Sequence, residues 1–504
     1  MVIRQFSVPV VATLCLVVSA CGSSSNNGLQ TDAGGKVGQG GSTSEAGSVA
    51  AGGSTVAAGG STDNGTTAVG GASLTGGTTP VGGATATAGA ASGGTATAGT
   101  TATGGAIATG GSAPPPVTCT AAYTGSETRP QLTDASAACF TVQNYLAEAG
   151  TIGALVRDNW DPSPGLPASS SYTPTYTVAA DGSGTHSTVQ DAITAANSLG
   201  GSARVYILVK PGSYREVVCV KGSVPITLYG ADEDASKVTI AFDNYNGKTV
   251  DSTKTNACSV PTGTTYGTSG SSTFFVSAAG FQAQNLTIAN DFAEGSLTAN
   301  IQAVALTVQG DQAILQNVRL IGNQDTLQVK SSKVTIVARS YFKNSYIEGD
   351  TDFIFGRGTA VFDGCTITYV SGRKTDSTNI APSTETANSF GFLIINSKMV
   401  GYSGMPTGTA YLGRAWDDST VGAAPNGQAV IRGTEIGGHV RIVAPWAIAA
   451  TSGRAFSASG NRLYEYENTG PGAAIGTDGG GAADAGAAGD APATDDAPAD
   501  ASAD

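Results

Sequence analysis

Two aspartates in the middle of the chain have the sequence context and spacing of a catalytic carboxylate pair. Asp325 lies in the segment NQDTL and Asp352 in the segment DFIFG, and each follows an asparagine, Asn317 or Asn344, by eight residues. If both asparagines occupy the same corner of successive coils in a repeating fold, the aspartates stack on adjacent strands, which lie about 4.8 Å apart. Two carboxyl groups that share a groove at this spacing can divide the roles of nucleophile and proton donor.

The histidine content argues against the common alternatives to carboxylate chemistry. The chain has two histidines, His186 and His439, and neither lies near a Gly-x-Ser-x-Gly segment. This pattern is evidence against a Ser-His-Asp hydrolase and against a histidine-based metal site. We interpret both histidines as structural, so acid and base roles fall to the carboxylates.

The sequence around the aspartates is built from short β-forming repeats. Aligned on their first residues, successive repeats are separated by 32, 27, 20 and 32 residues; the fourth position is always apolar and the third is polar or amphipathic. The copies begin at Asn285, Asn317, Asn344, Gly364 and Asn396. Repeats of this irregular length with short strands predict an all-β fold, a right-handed parallel β-helix. An antiparallel sandwich is the alternative, but it requires tight two-residue hairpins, whose sequence signals we do not find.

One helix is predicted ahead of the strands, as an N-terminal cap on the β-helix. Ser187 and Gln190 form a capping box, with Ser187 at the cap position. The apolar residues that follow have helical spacing, and two glycines end the helix. These residues are Val189, Ala192, Ile193 and Ala196, followed by Gly200 and Gly201.

The N-terminal residues predict export and lipid attachment. Residues 1–20 contain Arg4, an apolar run from Val8 to Val18 and two small residues, the pattern of a signal peptide. Cys21 follows at once, and VSAC resembles the bacterial lipobox, in which the cysteine carries the lipid. The apolar run is too short to span a membrane. We therefore expect an exported protein that is anchored through Cys21 to the outer membrane or cell surface.

Composition divides the rest of the chain into three parts. Residues 21–116 are rich in Gly, Ala, Thr and Ser and predict a flexible tether; residues 117–470 form the folded domain; and residues 471–504 predict a disordered acidic tail. The formal net charge of −13 argues against a nucleic-acid partner, and seven acidic residues lie in the tail after Pro471. The moderately acidic body suits a neutral or partly neutralised substrate.

Five cysteines remain outside the signal segment. Export makes disulfides permissible, and proximity in the sequence suggests the pairs Cys119–Cys139 and Cys219–Cys258, although spacing does not prove connectivity. Cys365 then stands alone in the apolar pattern of a repeat, which indicates a buried thiol rather than a nucleophile.

The two segments that contain the aspartates belong to a set of six motifs along the chain. VAADGSG, PGSYRE, QAVAL, NQDTL, DFIFG and YLGRAW occur in this order between Val178 and Trp416. Together they resemble the pectin methylesterases, carbohydrate esterases with a right-handed parallel β-helix. The lipobox and the segment YIEGDTD further resemble the lipid-anchored bacterial branch, which includes a member that acts on acyl-CoA thioesters.

The resemblance implies a role for each residue of the site. Asp352 matches the nucleophile and Asp325 the general acid and base. Gln302 and Gln324 match the oxyanion-hole amides, and Arg414 would pair with Asp352 to keep it ionised while Asp325 keeps its proton. Trp416 and Phe355 would contact the sugar. The resemblance implies a monomer that acts on methyl-esterified homogalacturonan and needs no metal or cofactor.

Two departures from the family pattern concern substrate preference more than the reaction. The two aspartates are 27 residues apart because the segment SSKVTIVARS lengthens the intervening turn, which should reshape one rim of the cleft. Ala415 stands between Arg414 and Trp416 where proline is commoner, which could loosen the tryptophan. Three other functions stay open: thioester hydrolysis, a β-helix glycoside hydrolase, and a lipid-anchored carbohydrate-binding protein without catalytic activity.

Overall fold

The strands are short and carry alternating apolar residues, and a single strand cannot bury its apolar face alone. Strands from successive coils therefore stack in parallel, and each coil forms one rung. The computed structural model describes residues 116–370, 373–418, 425–448 and 456–476. Within these ranges the strands form a parallel β-helix with three long faces. The predicted fold class is confirmed, and the antiparallel sandwich is wrong because the stacked strands pair in parallel.

Each face stacks its strands in chain order, except that the two N-terminal strands, Tyr123–Ser126 and Arg129–Leu132, close the far end of face A. Face A contains β5 (Tyr176–Val178), β6 (Val205–Val209), β9 (Ile226–Gly230), β12 (Gln282–Asn290), β14 (Ala313–Ile321), β17 (Arg339–Lys343), β20 (Thr359–Asp363), β23 (Phe392–Ile395), β26 (Ala429–Arg432), β29 (Leu463–Tyr466), β2 (Arg129–Leu132) and β1 (Tyr123–Ser126). Face B contains β7 (Gly212–Arg215), β10 (Val238–Phe242), the second halves of β12 and β14, β18 (Tyr346–Gly349), β21 (Thr366–Tyr369), β24 (Lys398–Gly401) and β27 (Glu435–Ile436). Face C contains β8 (Val218–Val220), β11 (Phe274–Val276), β13 (Leu306–Val308), β15 (Leu327–Val329), β19 (Ile354–Gly356), β22 (Thr378–Pro382), β25 (Tyr411–Arg414) and β28 (Trp446–Ala447).

The remaining elements lie outside the coils or cap them. A small antiparallel sheet contains β3 (Glu148–Thr151), β4 (Ala154–Arg157) and β16 (Ile336–Val337). The helices are α1 (Asp134–Ala137), α2 (Val142–Tyr145), α3 (Val189–Leu199) and α4 (Gly267–Gly270), with 3₁₀ turns at Ser169–Ser171, Ala235–Lys237, Ser252–Lys254 and Pro471–Ala473. In the described part of the chain, no helix is long and apolar enough to cross a bilayer.

The repeat alignment is reproduced in the strand register. The third positions of the repeats pair across neighbouring strands, Thr287 with Arg319, Arg319 with Tyr346, and Tyr346 with Thr366. The fourth positions all point into the core and are fully buried: Ile288, Leu320, Ile347, Ile367 and Met399. The first positions mark the corner between faces A and B, where Asn285, Asn317, Asn344, Gly364 and Asn396 have φ between 48° and 66°. Each repeat in the sequence therefore begins at a corner with a left-handed backbone conformation, which Asn and Gly tolerate.

Helix α3 caps the N-terminal end of the coils, as predicted, but it begins one residue later than the capping box suggested. Thr188, not Ser187, is the N-cap, and its hydroxyl accepts a hydrogen bond from Asp191 N. The carboxylate of Glu216 supplies the rest of the cap by accepting hydrogen bonds from Val189 N (2.8 Å) and Gln190 N (2.9 Å). The side-chain amide of Gln190 instead forms hydrogen bonds with the backbone N and O of Cys219. A distant carboxylate thus replaces the local capping partner.

The N-terminal part of the folded domain packs on the outside of face A. Strand β2 extends that face at its far end through the pair Gln131 and Glu465, and Arg129 forms a buried ion pair with Glu465 (2.8 Å). Arg339 on face A binds both Asp158 (2.7 Å) and Asp311 (2.8 Å). These contacts attach the segment to the coils, and the sequence did not predict them.

The disordered tail was predicted to begin at Pro471, and this boundary needs correction. Arg129 donates hydrogen bonds to Gly472 O (2.9 Å) and Ala474 O (2.7 Å), and Gly472 is buried. The folded part therefore continues to Gly476, because a buried guanidinium binds these carbonyls. Residues 477–504 lie outside the described residues, as do residues 1–115 with the signal segment, Cys21 and nearly all of the tether.

The structure contains the disulfides Cys119–Cys139 and Cys219–Cys258. The first lies within the N-terminal segment, and the second joins β8 to a long loop before β11. Cys365 is a free, buried cysteine, and burial raises the pKa of its thiol to about 12. Its position in the core suits a packing role and not a nucleophile.

Candidate active site

The two aspartates lie on adjacent rungs at the beginning of face C. Strand β15 pairs with β19 so that Leu327 lies beside Ile354, which places Asp325 beside Asp352 two residues earlier. Asp325 N donates a hydrogen bond to Thr351 O (3.1 Å), which fixes this register at the site. Both aspartates have left-handed backbone conformations, with φ of 66° and 45°. The coil geometry therefore places the two aspartates at equivalent positions of adjacent rungs.

Six of the seven residues proposed for the site meet in one cavity of about 990 Å³. Its lining includes Gln302, Asp325, Asp352, Phe355, Arg414 and Trp416. Gln324 is partly exposed on the same turn and its backbone oxygen accepts a hydrogen bond from Ala303 N (3.2 Å), but it is not among the lining residues. The cavity is large enough for several sugar units, since typical small-molecule sites measure roughly 300–1,000 Å³.

Asp352 is held by a guanidinium and a hydroxyl. Arg414 donates from Nη2 to Asp352 Oδ2 (2.7 Å) and from Nε to the same oxygen (3.0 Å). The hydroxyl of Thr378, on the next rung, donates to Asp352 Oδ1. All three residues are buried. The carboxylate is thus oriented by charged and neutral donors, which is the arrangement expected for an activated nucleophile.

The floor of the cavity lies along a ladder of side chains on face C, of which Phe275, Gln328, Phe355 and Ala381 line the cavity. One residue from each of six consecutive strands lies in register: Cys219, Phe275, Thr307, Gln328, Phe355 and Ala381. Gln328 Oε1 accepts hydrogen bonds from Ser269 Oγ (2.9 Å) and Thr307 Oγ1 (3.1 Å). The ladder therefore combines apolar and polar groups.

Phe355 and Trp416 form an aromatic side of the cavity, with ring centroids 5.8 Å apart in an edge-to-face arrangement. Trp416 N donates to Pro382 O (3.0 Å), and Ala415 is fully buried. These contacts fix the backbone at Trp416 without the proline that is commoner at position 415. On another rim, Ser331 to Thr335 line the cavity, so the lengthened turn does contribute to the cleft.

Several residues of the site were not identified from the sequence. Thr378 comes from the rung after Asp352, and no local motif marks it. Gln328 in strand β15 and Lys330 just after that strand line the cavity, and they could have been found by continuing the alternation beyond Asp325. Arg357 forms an ion pair with the nearly buried Asp418 at the same cavity.

Comparison with known proteins agrees with this geometry. Residues 175–478 match the pectinesterase family profile. A pectinesterase of Ralstonia nicotianae is 48% identical over 370 residues, covering 70% of this chain and 93% of that protein. A putative acyl-CoA thioester hydrolase of Escherichia coli, YbhC, is 33% identical over 398 residues, covering 70% and 90%.

The solved structure of rice weevil pectin methyl esterase superposes with a TM-score of 0.60 at 32% identity, covering 70% of this chain and all of that one. The profile match exceeds half of the chain, and the relatives are covered almost completely. The chain therefore belongs to the pectinesterase family and is a carboxylic ester hydrolase.

Proposed function

We propose that the chain hydrolyses the methyl esters of galacturonate units in pectin, giving methanol and demethylated pectate, with Asp352 as nucleophile and Asp325 as acid and base. The observation that carries the proposal is the stacked pair of aspartates in one open cavity, with the guanidinium of Arg414 in an ion pair with Asp352. The names of the Ralstonia and rice weevil relatives support pectin as the substrate.

In the first step a carboxylate oxygen of Asp352 attacks the carbonyl carbon of the ester. The carbonyl oxygen becomes negatively charged, and the side-chain amides of Gln302 and Gln324 donate hydrogen bonds to it. The tetrahedral intermediate then collapses, the bond to the methoxy oxygen breaks, and Asp325 gives its proton to the departing oxygen. Methanol leaves, and an acyl group remains on Asp352 as an anhydride.

In the second step the roles of the two groups reverse. Asp325, now a carboxylate, takes a proton from a water molecule, whose oxygen attacks the acyl carbon. Collapse of this second intermediate frees the Asp352 carboxylate and the galacturonic acid unit, which loses its proton to solvent. Arg414 and the hydroxyl of Thr378 orient Asp352 throughout, so the nucleophile returns to the same position for the next ester.

The decisive experiment measures methanol release and chain length on highly methylated pectin. Replacing Asp352→Asn preserves shape but removes the nucleophile, and we expect methanol release to fall by at least about 10³-fold. Asp234→Asn is the matched control, because Asp234 is an exposed turn residue that asparagine can replace as a cap. The control should release methanol at the wild-type rate.

Each rival function gives a different result in this experiment. A glycoside hydrolase would shorten the chains and produce new reducing ends, and a binding protein would do neither. A thioester hydrolase would leave the methyl content intact but cleave palmitoyl-CoA, in line with the name of the E. coli relative. Any of these outcomes, or full methanol release by Asp352→Asn, would refute the proposed mechanism.

We further propose that the protein is an exported monomer of the lipid-anchored branch, attached through Cys21 to the outer membrane or cell surface. The signal and lipobox pattern of residues 1–21 supports this, and the two disulfides suit an oxidising compartment. Membrane fractionation of cells that express the wild type and Cys21→Ala tests the anchor. The wild type should sediment with membranes and the variant should not; equal release of both would refute it.

A further inference from the structure

We infer that the disulfide Cys219–Cys258 is a positioning element for substrate, because it fastens one wall of the active-site cavity to the cavity floor. Its effect is on the affinity for pectin and not on the chemical steps. The inference rests on the proposed function, since it concerns how the same cavity holds the polymer.

One wall of the cavity is a single stretch of chain, residues 258–270, which we call the wall segment. Every residue in it except Thr264 lines the cavity. Val260 is 66% exposed and half-buried Pro261 follows it. The wall segment thus offers an apolar edge to whatever occupies the cavity, together with the polar floor residue Gln328 of the strand that follows Asp325.

The far end of the wall segment is held by hydrogen bonds. Ser269 Oγ donates to Gln328 Oε1 (2.9 Å) and accepts from Lys330 Nζ (3.1 Å). The buried Tyr266 donates its hydroxyl to Asp251 O (3.2 Å). This end is therefore joined to β15, the strand that follows Asp325, whatever happens to the disulfide.

The near end is held by the disulfide and by one buried side chain. Cys258, which lines the cavity, is bonded to Cys219, the first residue of the ladder, whose neighbour Phe275 lines the cavity. Asn256, just outside the wall segment, donates its side-chain amide to Val218 O (3.0 Å) and Ser272 O (3.2 Å) and accepts a hydrogen bond from Cys258 N (2.9 Å). Without the covalent bond, the half of the wall segment that carries Val260 is held near the floor through Asn256 and no longer through Cys258. We expect this half to move away from the floor more easily, so that the cavity loses its fixed width.

The second disulfide provides a matched control within the same chain. Cys119 and Cys139 join the N-terminal segment to itself on the outside of face A, and neither residue lines the cavity. The two bonds close loops of 20 and 39 residues, and a twofold difference in loop length changes the loop-closure entropy only slightly. A general loss of stability should therefore appear in both double variants, whereas a loss of positioning should appear in one.

The test compares kcat, KM and Tm of the full chain and two double variants, Cys219→Ser/Cys258→Ser and Cys119→Ser/Cys139→Ser, on methylated pectin. We expect the first to raise KM about fivefold with kcat nearly unchanged, and the second to lower Tm without raising KM. An unchanged KM in the first variant, or an equal rise in both, would overturn the inference.

A surface substitution keeps the test decisive if the first double variant does not fold. Val260→Asp places a negative charge on the exposed edge of the wall segment, where it repels the free carboxylates of partly methylated pectin, and it should raise KM for this substrate by at least about threefold. Leu199→Asp, at an exposed position at the end of α3, should leave KM unchanged. Equal KM values for the two aspartate variants would refute a substrate contact by the wall segment. If the wild type itself released no methanol, the proposed function would fail first.

Discussion

Two edges of the β-helix use the same backbone conformation for different purposes. At the edge between faces A and B the chain turns at asparagines with φ near 50°, and at the start of face C it turns at Asp325 and Asp352 with φ of 66° and 45°. Asparagine and aspartate are the residues other than glycine that adopt this region most readily. Both edges therefore require the same backbone conformation, and they differ in what their side chains do.

At the first edge the side chains are used for structure. Asn317 Nδ2 donates to Asn285 Oδ1 (2.9 Å) and to Glu233 O (2.7 Å), so these two successive corners are joined by their amides. At the second edge the carboxylates line the cavity. An amide suits a ladder because it both donates and accepts, whereas a carboxylate only accepts. The residue type at a left-handed corner thus distinguishes a structural edge from a reactive one.

The largest effect should come from giving the reactive edge the side chain of the structural one. Asp325→Asn keeps the corner conformation but removes the proton donor and the later base, and we expect kcat to fall about 10²–10³-fold. The free energy of unfolding should change by less than about 1 kcal/mol, because asparagine tolerates the same φ. Methanol release and thermal unfolding measured on one preparation check both halves, and a loss of stability that parallels the loss of activity would contradict the comparison.

The features that were predicted from the sequence are those that recur in its repeats. The asparagine corners, the inward fourth positions and the stacked aspartates follow from repeats that are visible in the sequence itself. The unpredicted features depend on partners far along the chain. Glu216 adds to the local N-cap of α3, and Arg129 binds the residues after Pro471. No local sequence pattern identifies such partners. Thr378 likewise reaches Asp352 only because the coil returns one rung later.

The folded and unfolded chains differ in how readily His439 binds a proton. His439 is buried beside the ring of Tyr369, and neither of its ring nitrogens has a hydrogen-bond partner among the described residues. Burial lowers the pKa of His439 from 6.5 to about 4. Between these pH values the unfolded chain binds a proton that the folded chain does not, so its contribution to stability is full above pH 6.5 and declines as the pH falls towards 4.

His439→Phe removes this group while keeping an aromatic ring in the site. The wild type should lose about 3 kcal/mol more than the variant as the pH falls through this window. Denaturant unfolding of both proteins at several pH values measures the difference directly. Parallel stability curves for the two proteins would show that His439 binds its proton at the same pH in the folded and the unfolded chain, and would contradict this prediction.

The reciprocal exchange at the structural edge should have a smaller effect. Asn317→Asp keeps the left-handed corner but replaces two donated hydrogen bonds with a carboxylate that faces the acceptors Asn285 Oδ1 and Glu233 O. We expect a loss of about 2 kcal/mol at neutral pH, with kcat unchanged because the corner lies away from the cavity. Since protonation restores a donor, part of the loss should be recovered in acid. A fall in kcat without a fall in stability would mean that the two edges are not independent.

The smallest expected effect comes from a substitution at Thr378, which tests whether Asp352 depends on a side chain of the neighbouring rung. Thr378→Val removes the hydroxyl that donates to Asp352 Oδ1 but keeps the shape and the backbone bond from Asp352 N to Thr378 O (2.8 Å). We expect kcat to fall about fivefold with KM unchanged, because one of the donors that orient the nucleophile is lost. Thr378→Ser should restore most of the rate.

Thr359→Val is the control for this prediction. The buried hydroxyl of Thr359, on face A, donates to Phe390 O (2.7 Å), and its loss should lower stability and leave kcat unchanged. If both valine variants lost the same fraction of kcat, Thr378 would be acting through packing, and orientation of Asp352 would rest on Arg414 alone.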